Sequence, residues 1–220
     1  RLVGSEMCIR DRPISVAEKI MGTNFIGPKQ VNLLLMHMGK ELISEIDVPE
    51  VNYDEETLRN SASDYILVYG TDALDILDIR NFFGVDPEIS EPCLYNQDWY
   101  MSEEFIRRRI DNKWFLIKRN VLEDTRAVMP MEIISTGVKF PSAILCVYLF
   151  FTYYVAYGEM LWFHDFVWCE DVDHNGDRIY VGKYHDVDGI NKNGFSIHRH
   201  LALRPCYASV DTVSYTHLTL

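Results

Sequence analysis

The feature that most constrains the fold is an uncharged apolar segment, PSAILCVYLFFTYYVAYG, which runs from Pro141 to Gly158. Its 18 residues satisfy the simplest criterion for a membrane-spanning helix. Its tyrosines, however, lie in the middle and the C-terminal half, whereas interfacial tyrosines mark both ends of a span, and only Lys139 supplies a positive flank. A helix that is apolar on every face is also typical of the centre of a globular core. We therefore predict a buried central helix and no membrane span.

Helical spacing dominates the chain before this segment. PKQVNLLLMHMGKELISEI places six apolar residues on one stripe: Val31, Leu34, Leu35, Met38, Leu42 and Ile46. Further helices are predicted at DEETLRNSA with Asp54 as N-cap, at LDILDIRNFFG, and at SEEFIRRRI with Ser102 as N-cap. The short apolar runs DYILVYG and KWFLIKR predict buried strands.

After the apolar segment the hydrophobic period changes to two. HDFVWCE, RIYVGKY and FSIHRH are each typical of a strand. The separation of helices from strands predicts an α+β fold with N-terminal helices, a central buried apolar helix and a C-terminal antiparallel β meander.

Both ends of the chain resemble translated sequencing-adapter reads: RLVGSEMCIRDR at 1–12 and VSYTHLTL at 213–220. They are therefore not expected to belong to the fold. Residues 13–212 are predicted to form a single α+β domain, in which 13–62 is a candidate helical subregion. The four cysteines of this part show no zinc-binding spacing, which favours a reducing, cytoplasmic compartment: Cys93, Cys146, Cys169 and Cys206.

The charge of the chain is acidic and uneven. Glu41 to Asp98 contains 15 acidic and 2 basic residues. Because an acidic protein is repelled by phosphate backbones, a nucleic-acid partner is not expected. FIRRRIDNKWFLIKR still provides a candidate basic patch: Arg107, Arg108, Arg109, Lys113, Lys118 and Arg119. This patch is interpreted either as a solvated helix face and strand edge or as a phosphate-binding surface.

The segment DVDHNGDRIYVG allows two readings. Asp171, Asp173 and Asn175 match the start of a calcium loop, but position 12 of that loop needs a glutamate and is Gly182. Asn-Gly is also a strong signal for a two-residue hairpin turn of type I′. We predict a β-hairpin closed by Asn175 and Gly176, in which Asp173 lies opposite Arg178.

Histidines and aspartates concentrate around the C-terminal strands. The candidate metal or polar cluster contains His198, His200, His185, Asp171 and Asp173. His198 and His200 lie on one face of a strand, a spacing that can hold one transition metal. No H-E-x-x-H pattern accompanies them, so ordinary polar surface is the alternative interpretation.

The phrases SEPCLYNQDWY, KWFLIKR, FPSAILC, DFVWC, DHNGDRIYVG and NKNGFSIHRHL resemble a group of bacterial proteins of gut-metagenome type without an assigned activity. This resemblance covers most of Met21 to Tyr207 and implies a discrete soluble domain. No pattern supplies a nucleophile with its base or a cofactor fingerprint. We therefore predict a non-catalytic domain that binds a protein or a small molecule. The alternative is a metal-dependent hydrolase or nuclease that uses the His/Asp cluster with a divalent metal.

Overall fold

The structure is a computed structural model that describes residues 13–183, 194–199 and 203–213. The helices are α1 (Ile14–Met21), α2 (Pro28–His37), α3 (Glu55–Ser61), α4 (Ile76–Phe83), α5 (Pro130–Ser135) and α6 (Ala143–Tyr157). The strands are β1 (Phe25–Ile26), β2 (Tyr65–Tyr69), β3 (Trp114–Lys118), β4 (Phe166–Val172), β5 (Arg178–Gly182), β6 (Ser196–His198), β7 (Tyr207–Ala208) and β8 (Thr212–Val213).

The strands form two four-stranded sheets. The first sheet has the order β1-β2-β3-β8, with β1 parallel to β2 and the other pairs antiparallel. The second sheet has the order β6-β5-β4-β7. Its β4, β5 and β6 form the predicted antiparallel meander, whereas β7 joins parallel to β4. The α+β prediction is therefore confirmed, with two mixed sheets.

Helix α6 is apolar on every face because it contacts both sheets. Its residues belong to one buried cluster with Ile66 and Val68 of β2 and with Val167 of β4 and Val181 of β5. A helix packed on opposite sides has no face left for charged side chains. Among the described residues, no helix combines the length and the apolar character that a membrane crossing requires.

The outer face of each sheet is covered as well. Leu67 and Tyr69 of β2 pack with Ala17 of α1. On the second sheet, Trp168 and Tyr180 form a separate buried cluster that includes a residue of α5. Because β2 is buried on both faces, its sequence is a continuous apolar run and does not alternate.

The predicted caps are partly confirmed. Asp54 accepts a hydrogen bond from Thr57 N at 2.7 Å and caps α3. Ser102 does not cap a helix, because SEEFIRRRI forms only a 3-10 turn over Glu104–Arg107. The preceding residue, Glu103, directs its carboxylate to a distant hairpin instead of the turn.

Helix α2 is about two turns shorter than predicted. Helix α2 ends at His37, and Gly39 takes a φ of 64° that stops the helix. Leu42 and Ile46 consequently lie outside the helix, with 51% and 95% of their surface exposed. The prediction was wrong because the apolar spacing continues in the sequence past Gly39, where the chain leaves the helix.

The predicted hairpin is confirmed, but its turn and register differ. Gly176 N donates to Asp173 O at 3.0 Å, and only Gly176 of the turn has a positive φ, of 86°. This geometry corresponds to a type I turn closed by a left-handed residue, so the type I′ turn was wrong. The turn is one residue longer than predicted and places Val172 opposite Arg178. The predicted pair of Asp173 with Arg178 is therefore wrong as well.

Candidate functional site

Of the predicted His/Asp cluster, the structure describes Asp171, Asp173 and His198, and each of them has different contacts. Asp171 accepts a hydrogen bond from Ala143 N at 2.6 Å and pairs with Arg108 at 2.9 Å. His198 stacks on Tyr180 with ring centroids 5.5 Å apart. His185 and His200 lie outside the described residues. Asp171 therefore stabilises the start of α6, and His198 packs against Tyr180 of the second sheet.

Asp173 instead lies in a cluster that the sequence did not predict. Glu103 Oε1 lies 2.6 Å from His174 Nδ1, and Glu103 Oε2 accepts from His174 N at 3.0 Å. One ligand atom each of Glu103, Asp173 and His174 lies within 4.8 Å of the others. The cluster joins the hairpin to a residue 71 positions earlier in the chain, so no local pattern signals it.

A guanidinium group already compensates the charge of this cluster. Arg199 Nη1 lies 3.1 Å from Asp173 Oδ2 and 3.6 Å from Glu103 Oε1. The Arg199 guanidinium also lies 4.6 Å from the ring centroid of Trp99. A metal ion at the same carboxylates would have to displace or repel this cation.

The predicted basic patch is divided among four places. Arg107 pairs with Asp75 at 3.4 Å, Lys118 lies over the Tyr65 ring, and Arg119 bonds Tyr153. The other three residues of the patch face a common cleft: Arg108, Arg109 and Lys113. The basic residues that are close in the sequence therefore do not form one continuous surface.

The cleft has a volume of about 520 Å³ and lies where β3 and β8 face the start of α6 and β4. We call it the basic cleft. Its charged lining consists of four basic and two acidic residues: Arg108, Arg109, Lys113, Lys139, Asp111 and Glu170. Strand β8 and the 139–145 segment are held together because Thr212 N donates to Lys139 O at 3.0 Å.

The acidic groups of the basic cleft neutralise only some of its cations. Arg108 pairs with Glu170, and Lys113 pairs with Asp111 at 3.3 Å. The Arg108 guanidinium is partly desolvated, but its carboxylate partners raise its pKa above the ordinary value. Two further cations lack such partners, and this difference leaves positive charge facing the cleft.

Those two cations are Arg109 and Lys139. Arg109 donates to the backbone oxygen of Asp72 at 2.6 Å, and the Asp78 carboxylate is close enough to interact with it electrostatically. Within the described part of the chain, neither Arg109 nor Lys139 forms an ion pair with a carboxylate. Both side chains are exposed, so a ligand in the cleft can reach them.

Two neutral side chains of the cleft lining have an oxygen atom without a hydrogen-bond partner. They are Asn52, through Oδ1, and Thr212, through Oγ1, and both atoms are buried. An unsatisfied buried oxygen costs about 1–3 kcal/mol. The sequence gives no sign of either residue, because the cleft is assembled from five separate parts of the chain.

Comparisons with known proteins returned no matching family model, no matching curated protein and no matching solved structure.

Proposed function

We propose that this chain is a binding domain that takes a small anionic molecule in the basic cleft. The observation that carries the proposal is that Arg109 and Lys139, among the described residues, form no ion pair in a cleft of a chain whose net charge is −12. In such a chain most of the surface repels anions. A local positive cleft is therefore a selective place for a compact anion.

The expected affinity is low. An anion about 4 Å from one of these cations gains about 1 kcal/mol in bulk water and about 4 kcal/mol at an effective dielectric constant near 20. Two such contacts total at most about 8 kcal/mol, and association costs at least about 4 kcal/mol, so we expect a Kd in the range of about 1 mM or weaker. This range suits a ligand that is exchanged and not permanently held.

The compartment that we propose is the cytoplasm. The described cysteines are free thiols, and three of them are buried: Cys93, Cys146 and Cys169. Free thiols persist in reducing compartments. The small anionic ligand would then be a cytoplasmic molecule.

A metal-dependent hydrolase or nuclease is the second candidate function. The contact of Glu103 with Asp173 and His174 favours it, because two carboxylates and an imidazole can hold a divalent metal. We rank it second because Arg199 already lies against both carboxylates. Zinc or manganese bound stoichiometrically after purification without a chelator, and lost in Glu103→Gln, would reverse this ranking.

The proposed function is tested by titrating the protein with inorganic phosphate, pyrophosphate and citrate in an isothermal titration calorimeter at low salt. We expect binding of at least one of these anions, weakened about tenfold or more in both Lys139→Met and Arg109→Met. Affinity should also fall as sodium chloride is added, because salt screens exposed charges.

The matched control is Lys19→Met, which removes the same charge from an exposed position of α1 outside the cleft. Equal weakening by the control would show a general charge effect and no site. Absence of binding by all three anions would contradict the proposed function.

A further inference from the structure

We propose that a second cleft of the chain binds a small aliphatic amine with two or more ammonium groups. This cleft has a volume of about 370 Å³ and lies between the segment after α2 and the end of β2. It shares no lining residue with the basic cleft, so the inference goes beyond the proposed function and does not rest on it. We call it the acidic cleft, and the residues of its lining that matter here are Glu41, Leu42, Asp47, Val48, Tyr69 and Asp72.

The charged side chains that line the acidic cleft are all carboxylates. They belong to Glu41, Asp47 and Asp72, and none of the three forms an ion pair with another described residue. The cleft also lies within the part of the chain from Glu41 to Asp98, which contains 15 acidic and 2 basic residues. The field around the cleft therefore attracts cations.

Two cations lie near the acidic cleft without lining it. Lys40 pairs with Asp78 at 2.9 Å, so a carboxylate outside the cleft already compensates its charge. Arg109 donates to the backbone oxygen of Asp72 at 2.6 Å and offsets part of the charge of that residue. The carboxylates of Glu41 and Asp47 have no such neighbour among the described contacts and retain their charge.

The hydroxyl group of Tyr69 is a second observation, independent of the carboxylates. Tyr69 is only 5% exposed and belongs to a buried cluster with Val48 and Trp114, but its hydroxyl forms no hydrogen bond within the described part of the chain. The described oxygens that are both unpartnered and sealed from solvent do not include this one, so it opens to the cleft that Tyr69 lines. Burial raises the pKa of Tyr69, and the charge of Asp72 adds to this effect, so the hydroxyl lies near that carboxylate. A phenolic oxygen in this position can accept a hydrogen bond from an ammonium group.

The spacing of the carboxylates favours an elongated cation over a metal ion. Among the described residues, ligand atoms of three acidic, histidine or cysteine side chains lie within 4.8 Å of one another only at Glu103, Asp173 and His174. One ion therefore cannot contact all three carboxylates of the acidic cleft. Two ammonium groups on a methylene chain can reach separate carboxylates, and Leu42 and Val48 give the chain an apolar surface to cover.

The test titrates the protein at low salt with putrescine, spermidine and butylamine in an isothermal titration calorimeter. We expect putrescine or spermidine to bind about fivefold or more tighter than butylamine, which has the same kind of chain and one charge. Glu41→Gln and Asp47→Asn should each weaken the binding of the tighter amine about fivefold. Tyr69→Phe keeps the ring and removes the hydroxyl, and should weaken the binding about threefold.

The matched control is Glu56→Gln, which removes a carboxylate from an exposed position of α3 in the same acidic part of the chain but outside the cleft. It should leave the affinity unchanged within twofold. Weakening by Glu56→Gln equal to that by Asp47→Asn would show a general charge effect and would overturn the inference. Each variant should keep the melting temperature of the wild type within a few degrees, since Glu41 and Asp47 are exposed and the ring of Tyr69 is retained.

Three further outcomes would overturn the inference. The first is no binding of either putrescine or spermidine, and the second is equal binding of butylamine. The third is competition by magnesium chloride stronger than that by sodium chloride at the same ionic strength, which would indicate a site for an inorganic ion. The dipeptide lysyl-lysine distinguishes a small amine from the lysines of a partner protein, and tighter binding of the dipeptide than of both amines would contradict the small ligand.

Discussion

At the scale of single residues, Asp173 shows how a carboxylate that resembles a metal ligand can be satisfied by the protein. Its Oδ1 accepts from Asn175 N at 2.9 Å and from Asp177 N at 2.8 Å, and its Oδ2 accepts from Arg199 at 3.1 Å. The side chain is fully buried. The alternating acidic pattern thus stabilises a turn, because one oxygen binds the backbone of the turn and the other binds a cation.

We expect Asp173→Asn to lower the free energy of unfolding by about 1–3 kcal/mol at pH 7, because charge-assisted hydrogen bonds are the stronger ones. Urea denaturation measures this change. The matched control is Asp177→Asn, whose exposed side chain should change stability by no more than about 0.5 kcal/mol. Equal effects of the two variants would contradict the role given to Asp173.

The difference in stability between Asp173→Asn and the wild type should depend on pH, and the direction of the Asp173 pKa shift gives the sign of this dependence. Burial raises the pKa of the Asp173 carboxyl, but the hydrogen bonds from the backbone of Asp177 and Asn175 and from Arg199 leave it below its ordinary value. A lowered pKa stabilises the folded state above the unfolded value, near 4, and this contribution is lost as pH falls through the folded-state pKa. The penalty of Asp173→Asn should therefore be complete at pH 6 and shrink as pH falls below about 4.

At the scale of elements, the hairpin of β4 and β5 shows how one residue decides a register. The Asn-Gly pair predicts where the chain turns, but the conformation of Asn175 decides how long the turn is. A single left-handed residue gives a three-residue turn and shifts the pairing, so that Asp173 lies opposite Asp177. The freed Arg178 donates to the backbone oxygens of Cys169 and Glu170.

We expect Gly176→Val to destabilise the fold by about 1–2 kcal/mol or more, because a β-branched residue resists a positive φ. A Cβ at this position would meet no atom within 4 Å, so the cost comes from the backbone conformation alone. Gly176→Asn is the matched control and should cost less, since asparagine tolerates this region. The two melting temperatures measure the difference, and a smaller effect of valine than of asparagine would contradict the turn assignment.

At the scale of the whole molecule, α6 connects the two sheets. Leu149 is fully buried in the cluster that contains Ile66 of the first sheet and Val167 of the second. Tyr148 also donates a hydrogen bond to Tyr69 O of β2 at 2.7 Å. Because both sheets pack on this helix, a substitution that disrupts its packing should destabilise both sheets.

We expect Leu149→Ala to lower the free energy of unfolding by about 2–5 kcal/mol, through lost burial and the cavity that remains. Hydrogen exchange should then accelerate in β2 and β3 as well as in β4 and β5. Leu33→Ala, at a half-exposed position of α2, is the control and should change little. Acceleration in one sheet only would show that the two sheets unfold independently.

The sequence by itself determined the central apolar helix, the strands after it and their burial. An uncharged run long enough for four turns must avoid water, and the two-residue period after it needs a sheet, so α6 and the β4–β6 meander followed from local physics. Turn and cap chemistry was equally local at Asp54 and at Gly176. The end of α2 was not predicted, because the apolar spacing in the sequence continues past Gly39 although the helix ends before it.

Only the tertiary structure decided which charges meet. Glu103 reaches His174 across 71 positions, and Asp173 binds Arg199 and not its expected partner, because a one-residue change of the turn alters which residues face each other. The basic cleft depends on the same long-range assembly. No sequence pattern marks Lys139 or Thr212 as a residue of a cleft. Only folding brings the two residues together at the same cavity.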